Sequence, residues 1–244
     1  MKTFGLIGHP LSHSFSKAYF DNKFKNEDLD CFFVNFDIEK LDSIKDILIQ
    51  YPDLQGFTIT HPYKKSIFEY LGFIDENAKQ IGAVNVVKIN SEKKLCGFNT
   101  DYIGFQGLLD EAIKGKEIKK AYICGTGGAS EAVKFVLKHK NIGFEILSRK
   151  NKSYQDLNDK GFKDNELIIN ATPVGMYPNC DDMLNLPYDT ANATNVFIDL
   201  IYNPEETMFM KEAKKKGEYT FPRLWDYIRH ELNLAKIQAQ EKSL

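Results

Sequence analysis

No stretch of this sequence approaches the run of roughly 18 or more apolar residues that a membrane-spanning helix needs, so no membrane insertion is expected. The first residues, MKTFGLIGHPLSHS, hold only a short apolar run before glycine, histidine and proline interrupt it. That run is too short for the core of a secretion signal and reads better as a first strand. An excess of one charge is missing too. The 32 Lys and Arg against 34 Asp and Glu give a formal net charge of −2, which leaves no electrostatic footprint for nucleic acid. Only four cysteines occur, Cys31, Cys96, Cys124 and Cys180, and none stands in a CxxC or Cys/His ligand spacing. This pattern argues against a metal site and for free thiols in a reducing compartment, hence for a cytoplasmic protein. Internal repeats and low-complexity tracts are lacking as well. What is left is a globular chain of 244 residues, 43% hydrophobic and 27% charged, long enough for one large domain or two modest ones.

Strand-like and helix-like segments alternate along it. Strands are expected at 3–8, 31–36 (CFFVNF) and 55–60, with helices at 15–26, 39–50, 63–71 and 75–80. A hairpin follows in 84–98, turning at NSEKK, and helical periodicity resumes over 102–113. After the polar break KGKEIKK, strands are expected at 121–124, 144–148, 167–170 and 196–201, with a helix at 128–139. Such alternation implies βα units, a mostly parallel sheet and the α/β class. A domain boundary is placed close to 101–104, giving domains 1–101 and 102–223, with a C-terminal helix over about 224–244 packing back on the first. The basic runs 114–120 and 211–216 read as solvated helix ends.

Two stretches carry chemistry. In GFTITHPYKK the alternating strand Phe57–Thr60 stops at His61-Pro62, since proline cannot continue a ladder, and Lys64 sits at the lip of the turn. Such a lysine is either simply exposed or the residue that the strand exists to place. In AYICGTGGASEAVKFVLKH a buried strand, a glycine turn and an amphipathic helix follow one another directly. Gly125 permits the tight turn and Gly127 lets the backbone approach a pyrophosphate. Thr126, Gly128 and Ala129 complete the turn, and Ser130 stands small where a third glycine is usual. The helix N-terminus offers free N–H groups to a phosphate, so the segment predicts dinucleotide binding. About 20 residues on, an NAD enzyme keeps an acid for the ribose 2′-hydroxyl. Here stand Ser148, Arg149, Lys150 and then Lys152, a hydroxyl and cations that suit a 2′-phosphate. NADP is the expected cofactor.

With these residues the chain resembles the shikimate dehydrogenase family over roughly 3–210. GHPLSHSFS (8–16) is similar to its G-x-P-x-x-H-S-x-S segment, and TITHPYK (58–64) to N-V-T-x-P-x-K. GAVNVV (82–87) matches G-A-V-N-T, and GFNTDYIGF (97–105) matches G-x-N-T-D-x-x-G. GTGGAS, SRK, NATPVGM (170–176) and DLIYNP (199–204) follow in the family's order, eight motifs in register. The resemblance implies an N-terminal α/β substrate domain, a Rossmann-type NADP domain, and an active site in the cleft between them. It implies reversible NADPH-dependent reduction of 3-dehydroshikimate to shikimate, within aromatic amino-acid biosynthesis, by a monomer or homodimer that binds a small molecule and neither nucleic acid nor membrane. Carried over residue by residue, Lys64 and Asp101 are the catalytic pair. Ser14 and Ser16 hold the substrate carboxylate, and Thr60, Asn85, Asp101 and Tyr202 meet ring hydroxyls. Thr172 and Leu200 join the glycine turn, Ser148, Arg149 and Lys150 as cofactor contacts.

The residue types agree with that chemistry. Hydride delivery to a carbonyl builds alkoxide charge, and a lysine held by an aspartate supplies both a positive field and a proton. Serines two apart on an extended segment face the same way and can both bond one carboxylate. A nicotinamide carries the hydride, so no metal is needed. Two other readings share these motifs: a paralogue acting on quinate or a related hydroxylated cyclohexane carboxylate, and a non-catalytic sensor of NADP or a metabolite. The sequence also departs from the family. Thr58 replaces a usual asparagine, and His61 stands where a small aliphatic residue is common, with a structural role expected. Lys17 takes the place of a frequent proline, and His13 is expected to orient the serine loop. The C-terminal N-G-L-x-M-L-x-x-Q is missing: ungapped counting sets His230 against its glutamine, a slipped register sets Gln238, and neither restores the glycine. The chain also ends earlier than the family usually does, so its closing helix pair is expected to be reduced to one.

Overall fold

The structure, a computed structural model, describes residues 1–11, 15–150 and 153–216. It divides into two compact units, Met1–Asn99 and Thr100–Leu244.

The first unit is a six-stranded mixed sheet with helices. Its elements are β1 (Lys2–Gly8), α1 (Phe15–Asn26), β2 (Cys31–Asp37), α2 (Ile44–Gln50), β3 (Leu54–Ile59), β4 (Phe73–Ile74), α3 (Glu76–Ile81), β5 (Val86–Ile89) and β6 (Leu95–Phe98). The strand order is β2-β1-β3-β5-β6-β4. β1 runs parallel to β2 and β3, and the β5–β6 hairpin adds antiparallel to β3. β1 is buried from Thr3 to Gly8, as a central strand covered on both faces must be. One face packs Ile7, Phe57, Ile59 and Val87 against Ile44, Ile47 and Ile67. On α1, Phe20 stacks on Phe33 of β2 at 4.5 Å and 9°. Asp75 caps α3 by accepting from the N–H groups of Asn77 and Ala78, and Gly82 closes it at φ 73.

The second unit is wound in parallel. Its elements are α4 (Asp101–Ala112), β7 (Lys120–Cys124), α5 (Gly128–His139), β8 (Phe144–Leu147), α6 (Ser153–Lys160), β9 (Glu166–Asn170), β10 (Val196–Asp199) and α7 (Met208–Lys216). The strand order is β10-β9-β7-β8, all parallel. From β7 the chain crosses to β8 on one side and then to β9 on the other, so the topological switch lies at the carboxyl end of β7. That is where a Rossmann-type sheet binds its ligand. Period-2 alternation sends Ile123, Ile169 and Ile198 to one face, under α4 and α5. Tyr122, Cys124, Ile168 and Phe197 go to the other, under α6 and α7. Helices on both faces make the α/β arrangement that the segment pattern predicts.

The expected helix over 63–71 is the main departure. The chain there makes turns and then a 3₁₀ segment, Ser66–Tyr70. The Lys64 carbonyl accepts from Val84 N–H at 2.8 Å instead of from the next helical turn, and the Tyr63 hydroxyl donates to Ile38 O at 2.6 Å. The Lys64 carbonyl is thus diverted to a tertiary bond, while the Tyr63 carbonyl still accepts from Ile67 N–H at 3.0 Å, a single helical turn that goes no further. The expected helix over 39–50 divides into a 3₁₀ turn, Leu41–Ser43, and α2. The strand β4 and the helix α6 were not anticipated, and of α7 only the basic end at 211–216 was. Residues 211–216 do end a helix, with Lys214, Lys215 and Lys216 exposed, whereas of 114–120 the last residue already opens β7. The expected C-terminal helix, with His230 and Gln238, lies outside the described residues.

Candidate functional site

In the first unit, backbone bonds gather the residues named from sequence at one end of the sheet. β3 ends at Ile59, whose N–H donates to Asn85 O at 2.8 Å, and Thr60 N–H donates to Ile7 O at 2.9 Å. The His61–Pro62 peptide is cis, and His9 N–H donates to His61 O at 3.0 Å. Tyr63 is buried and Lys64 half-buried. Asn85 is buried, its N–H on Phe98 O at 3.0 Å, and the buried Asn99 amide donates to Ala83 O at 2.8 Å, holding the loop before β5. Because Ile59 bonds Asn85 while Lys64 bonds Val84, the backbones at Thr60, Lys64 and Asn85 are held side by side.

The glycine-proline segment 8–11 joins them. A Cβ on Gly8 would lie 2.4 Å from Thr60 Cγ2, so only glycine lets the two strand ends approach. Asp37, ending β2, accepts from Leu11 N–H at 2.9 Å and pairs with His9 Nδ1 at 2.7 Å. Those two contacts hold its carboxyl below the usual range. Sequence reading missed His9, Asp37 and Tyr63; only the position of His9 inside the GHP motif hinted at one of them. Ser16 stands half-buried in the first turn of α1, while Ser14 and His13 lie outside the described residues. Lys17 Nζ bonds Asp21 at 2.7 Å and Phe33 O at 2.9 Å, an anchoring role on α1. His61 is exposed, and Thr58 Oγ1 donates to Gly5 O at 3.4 Å.

In the second unit Asp101 is the first residue of α4 and half-buried, where the positive helix end favours its charge. Gly125 sits at φ 111, and a Cβ there would meet Ala171 O at 2.8 Å and Thr172 Cγ2 at 3.0 Å. Gly127, the N-cap of α5, has ordinary φ of −77, and a Cβ there meets nothing within 4 Å. The N-cap, being glycine, offers α5 no side-chain cap. Ser130 is buried, its hydroxyl donating to Gly127 O at 2.7 Å. A constrained turn, an open approach at Gly127 and an uncapped helix N-terminus fit a dinucleotide pyrophosphate. Thr126 and Gly127 are exposed, and Gly128 and Ala129 half-buried. After β8, Ser148 Oγ accepts from Lys150 N–H at 3.2 Å, and Arg149 and Lys150 are exposed; Lys152 lies outside the described residues.

The loops leaving β9 and β10 complete this end of the sheet. Asn170 Oδ1 accepts from the N–H (3.0 Å) and hydroxyl (2.7 Å) of Thr172, and Thr172 Oγ1 accepts from Val174 N–H at 3.1 Å. Leu200 N–H donates to Asn170 O at 3.0 Å, and Tyr202, 42% exposed, stands two residues on. The cysteines are unpaired, and burial pushes the Cys124 thiol up to about 12, an inert group. Among the described residues no cluster of three His, Cys, Asp or Glu side chains could hold a metal, and no helix is long and apolar enough to cross a membrane.

Comparison with known proteins adds an independent line. Residues 6–87 match the model of the shikimate dehydrogenase substrate binding domain. A shikimate dehydrogenase (NADP(+)) of Methanococcus maripaludis is 40% identical over 239 residues, covering 90% of this chain and 85% of that protein. The crystal structure of shikimate dehydrogenase 1 from Peptoclostridium difficile aligns with TM-score 0.78 at 31% identity, covering 96% of this chain and 99% of that one. That of shikimate 5-dehydrogenase from Thermus thermophilus in complex with NADP(H) and shikimate aligns with TM-score 0.73 at 29% identity, covering 90% and 87%. The chain belongs to the shikimate dehydrogenase family.

Proposed function

We propose that this protein is an NADP-dependent shikimate dehydrogenase, which reversibly reduces 3-dehydroshikimate to shikimate in aromatic amino-acid biosynthesis. Relatives of that name match nearly the whole chain, and one solved relative holds both NADP(H) and shikimate. The observation that carries the reading is the strand end where backbone bonds hold Thr60, Lys64 and Asn85 together. A hydroxyl, an amide and an ammonium there suit the polyol ring of a hydroxylated cyclohexene carboxylate. Ser14 and Ser16 take the carboxylate, and Tyr202 and Asp101 take ring hydroxyls.

NADPH, when bound, supplies the hydride. Lys64 stabilises the alkoxide that develops on the substrate oxygen and delivers the proton that neutralises it; in oxidation it withdraws that proton. Asp101 is the second catalytic residue of this reading, a carboxylate suited to proton-transfer chemistry. Gly125, Thr126, Gly127, Gly128 and Ala129 receive the pyrophosphate, Thr172 and Leu200 flank the cofactor, and Ser148, Arg149 and Lys150 receive the 2′-phosphate. The unpaired cysteines support a cytoplasmic location, and a monomer or homodimer suffices for this chemistry. A steady-state assay of purified protein with shikimate and quinate, each against NADP and NAD, tests the reading: it stands if shikimate with NADP gives the highest kcat/KM.

A further inference from the structure

The network around Asp199 has no part in the mechanism above. Asp199 ends β10, and three neutral donors converge on its carboxylate: Ile201 N–H at 2.9 Å, the Thr207 hydroxyl at 2.6 Å and the Asn170 side-chain amide. Asn170, fully buried at the end of neighbouring β9, turns its other face to the adjoining loop. Its Oδ1 takes both donors of Thr172, and its Nδ2 donates to Val174 O at 3.3 Å. Thr207 Oγ1 also accepts from Met210 N–H at 3.3 Å, which fixes the start of α7. One carboxylate thus ties 171–174 to 200–207, the two loops that carry Thr172, Leu200 and Tyr202.

We infer that Asp199 is a positioning residue, whose carboxylate locks these two loops in the arrangement that NADP binding needs. The inference rests on the NADP reading above. Among the described residues this carboxylate is held by neutral donors alone, a costly choice for stability when no cation there repays the loss of solvation. That cost pushes its carboxyl up to about 6. A proton on the carboxyl turns one of its acceptor oxygens into a donor, so at least one of these three bonds must be lost or reversed, and asparagine at this position imitates that state. Among the described residues, the titratable groups that act on Asp199 are Cys124 and Tyr188, both kept neutral because burial raises them. Cys124 of β7 is raised to about 12, and Tyr188 is raised further by burial. Tyr154 of α6 bonds Cys124, and Glu212 of α7, beyond Tyr188, pairs with Lys215 at 2.6 Å.

The test is NADP affinity by titration calorimetry for the full-length protein and Asp199→Asn at pH 8 and pH 5.5. The 2′-phosphate of NADP titrates in the same range, so the ratio of the two proteins is compared at each pH. Asp199→Asn is expected to bind at least tenfold more weakly at pH 8. At pH 5.5, where most of the wild-type carboxyl is protonated, the ratio should shrink to about threefold. Thr207→Val should weaken binding several-fold and Thr207→Ser restore it, a pair that decides the matter if Asp199→Asn does not fold. Unchanged affinity in Asp199→Asn, a ratio independent of pH, or equal behaviour of the two Thr207 variants would overturn the inference. Wild-type turnover keeps the readings apart. A wild type that binds NADP but does not oxidise shikimate refutes the substrate reading alone; an active wild type with an unaffected Asp199→Asn refutes this inference alone.

Discussion

Gly125 and Gly127 stand two residues apart in one turn, yet alanine should act on them through different physics. At Gly125 an L side chain must adopt φ 111, and its Cβ would press on Ala171 O at 2.8 Å. The obstacle cannot step aside cheaply. Ala171 N–H is bound to Cys124 O and Gly125 N–H to Leu147 O, both at 2.9 Å, so the turn is pinned from both sides. The backbone conformation costs about 1–3 kcal/mol and the overpacking about the same. The stiffer unfolded chain recovers only about 0.4–1 kcal/mol. The net loss, about 1–5.5 kcal/mol, should lower Tm by roughly 2–20 °C for a chain of this size. At Gly127 the backbone is already in a region open to alanine and the Cβ meets nothing, so stability should hold to within about 1 kcal/mol, the size of a lost N-cap preference. The methyl instead occupies the approach to the uncapped N–H groups of α5 and should weaken NADP binding at least about tenfold, or ~1.4 kcal/mol. Thermal denaturation and calorimetric NADP titration of both variants check this. A Gly127→Ala protein that binds NADP normally, or a Gly125→Ala protein that melts with wild type, would refute the reasoning.

Lys64→Ala should lower kcat at least about a hundredfold while KM for shikimate changes far less, as loss of an acid–base group does; near-normal turnover would remove Lys64 from the mechanism. Arg149→Ala should raise KM for NADP and leave the weaker NAD reaction nearly unchanged, because only NADP carries a 2′-phosphate; equal losses with both cofactors would assign Arg149 to the adenine or the fold. Ser14→Ala and Ser16→Ala should each raise KM for shikimate roughly ten- to a hundredfold, the worth of about 1.5–3 kcal/mol in one bond to a charged group. Early melting with normal KM would mean instead that they cap α1.

How much of this was legible in the sequence depends on how local each signal is. The βαβ unit over 120–147 could be read almost to the residue, because a buried strand, a glycine turn and an amphipathic helix are each written within a few positions. α5 runs over Gly128–His139 as the pattern says. The segment 63–71 was misread for the opposite reason. Its helical periodicity is real, but the Lys64 carbonyl bonds Val84 and the Tyr63 side chain is anchored on Ile38, some 20 residues away on either side, and sequence periodicity carries no sign of such partners. α6 was missed, and α7 was read only at its basic end, because each is short and mostly polar; among their described residues Leu157, Phe209, Met210 and Ala213 are the buried hydrophobics. The same distinction governs the site. The residues proposed to touch ligands sit in motifs with fixed spacing, so Lys64, Asp101 and Gly125 could be named at once. The bonds that hold those motifs in place are not written in the spacing: Asp37 reaches across 26 positions to Leu11, and Asp199 and Asn170, each opening a motif of its own, meet only because β9 and β10 are neighbours in the sheet. Such a carboxylate looks like any solvated acid until strand order is known, so the supporting framework becomes visible only with the fold.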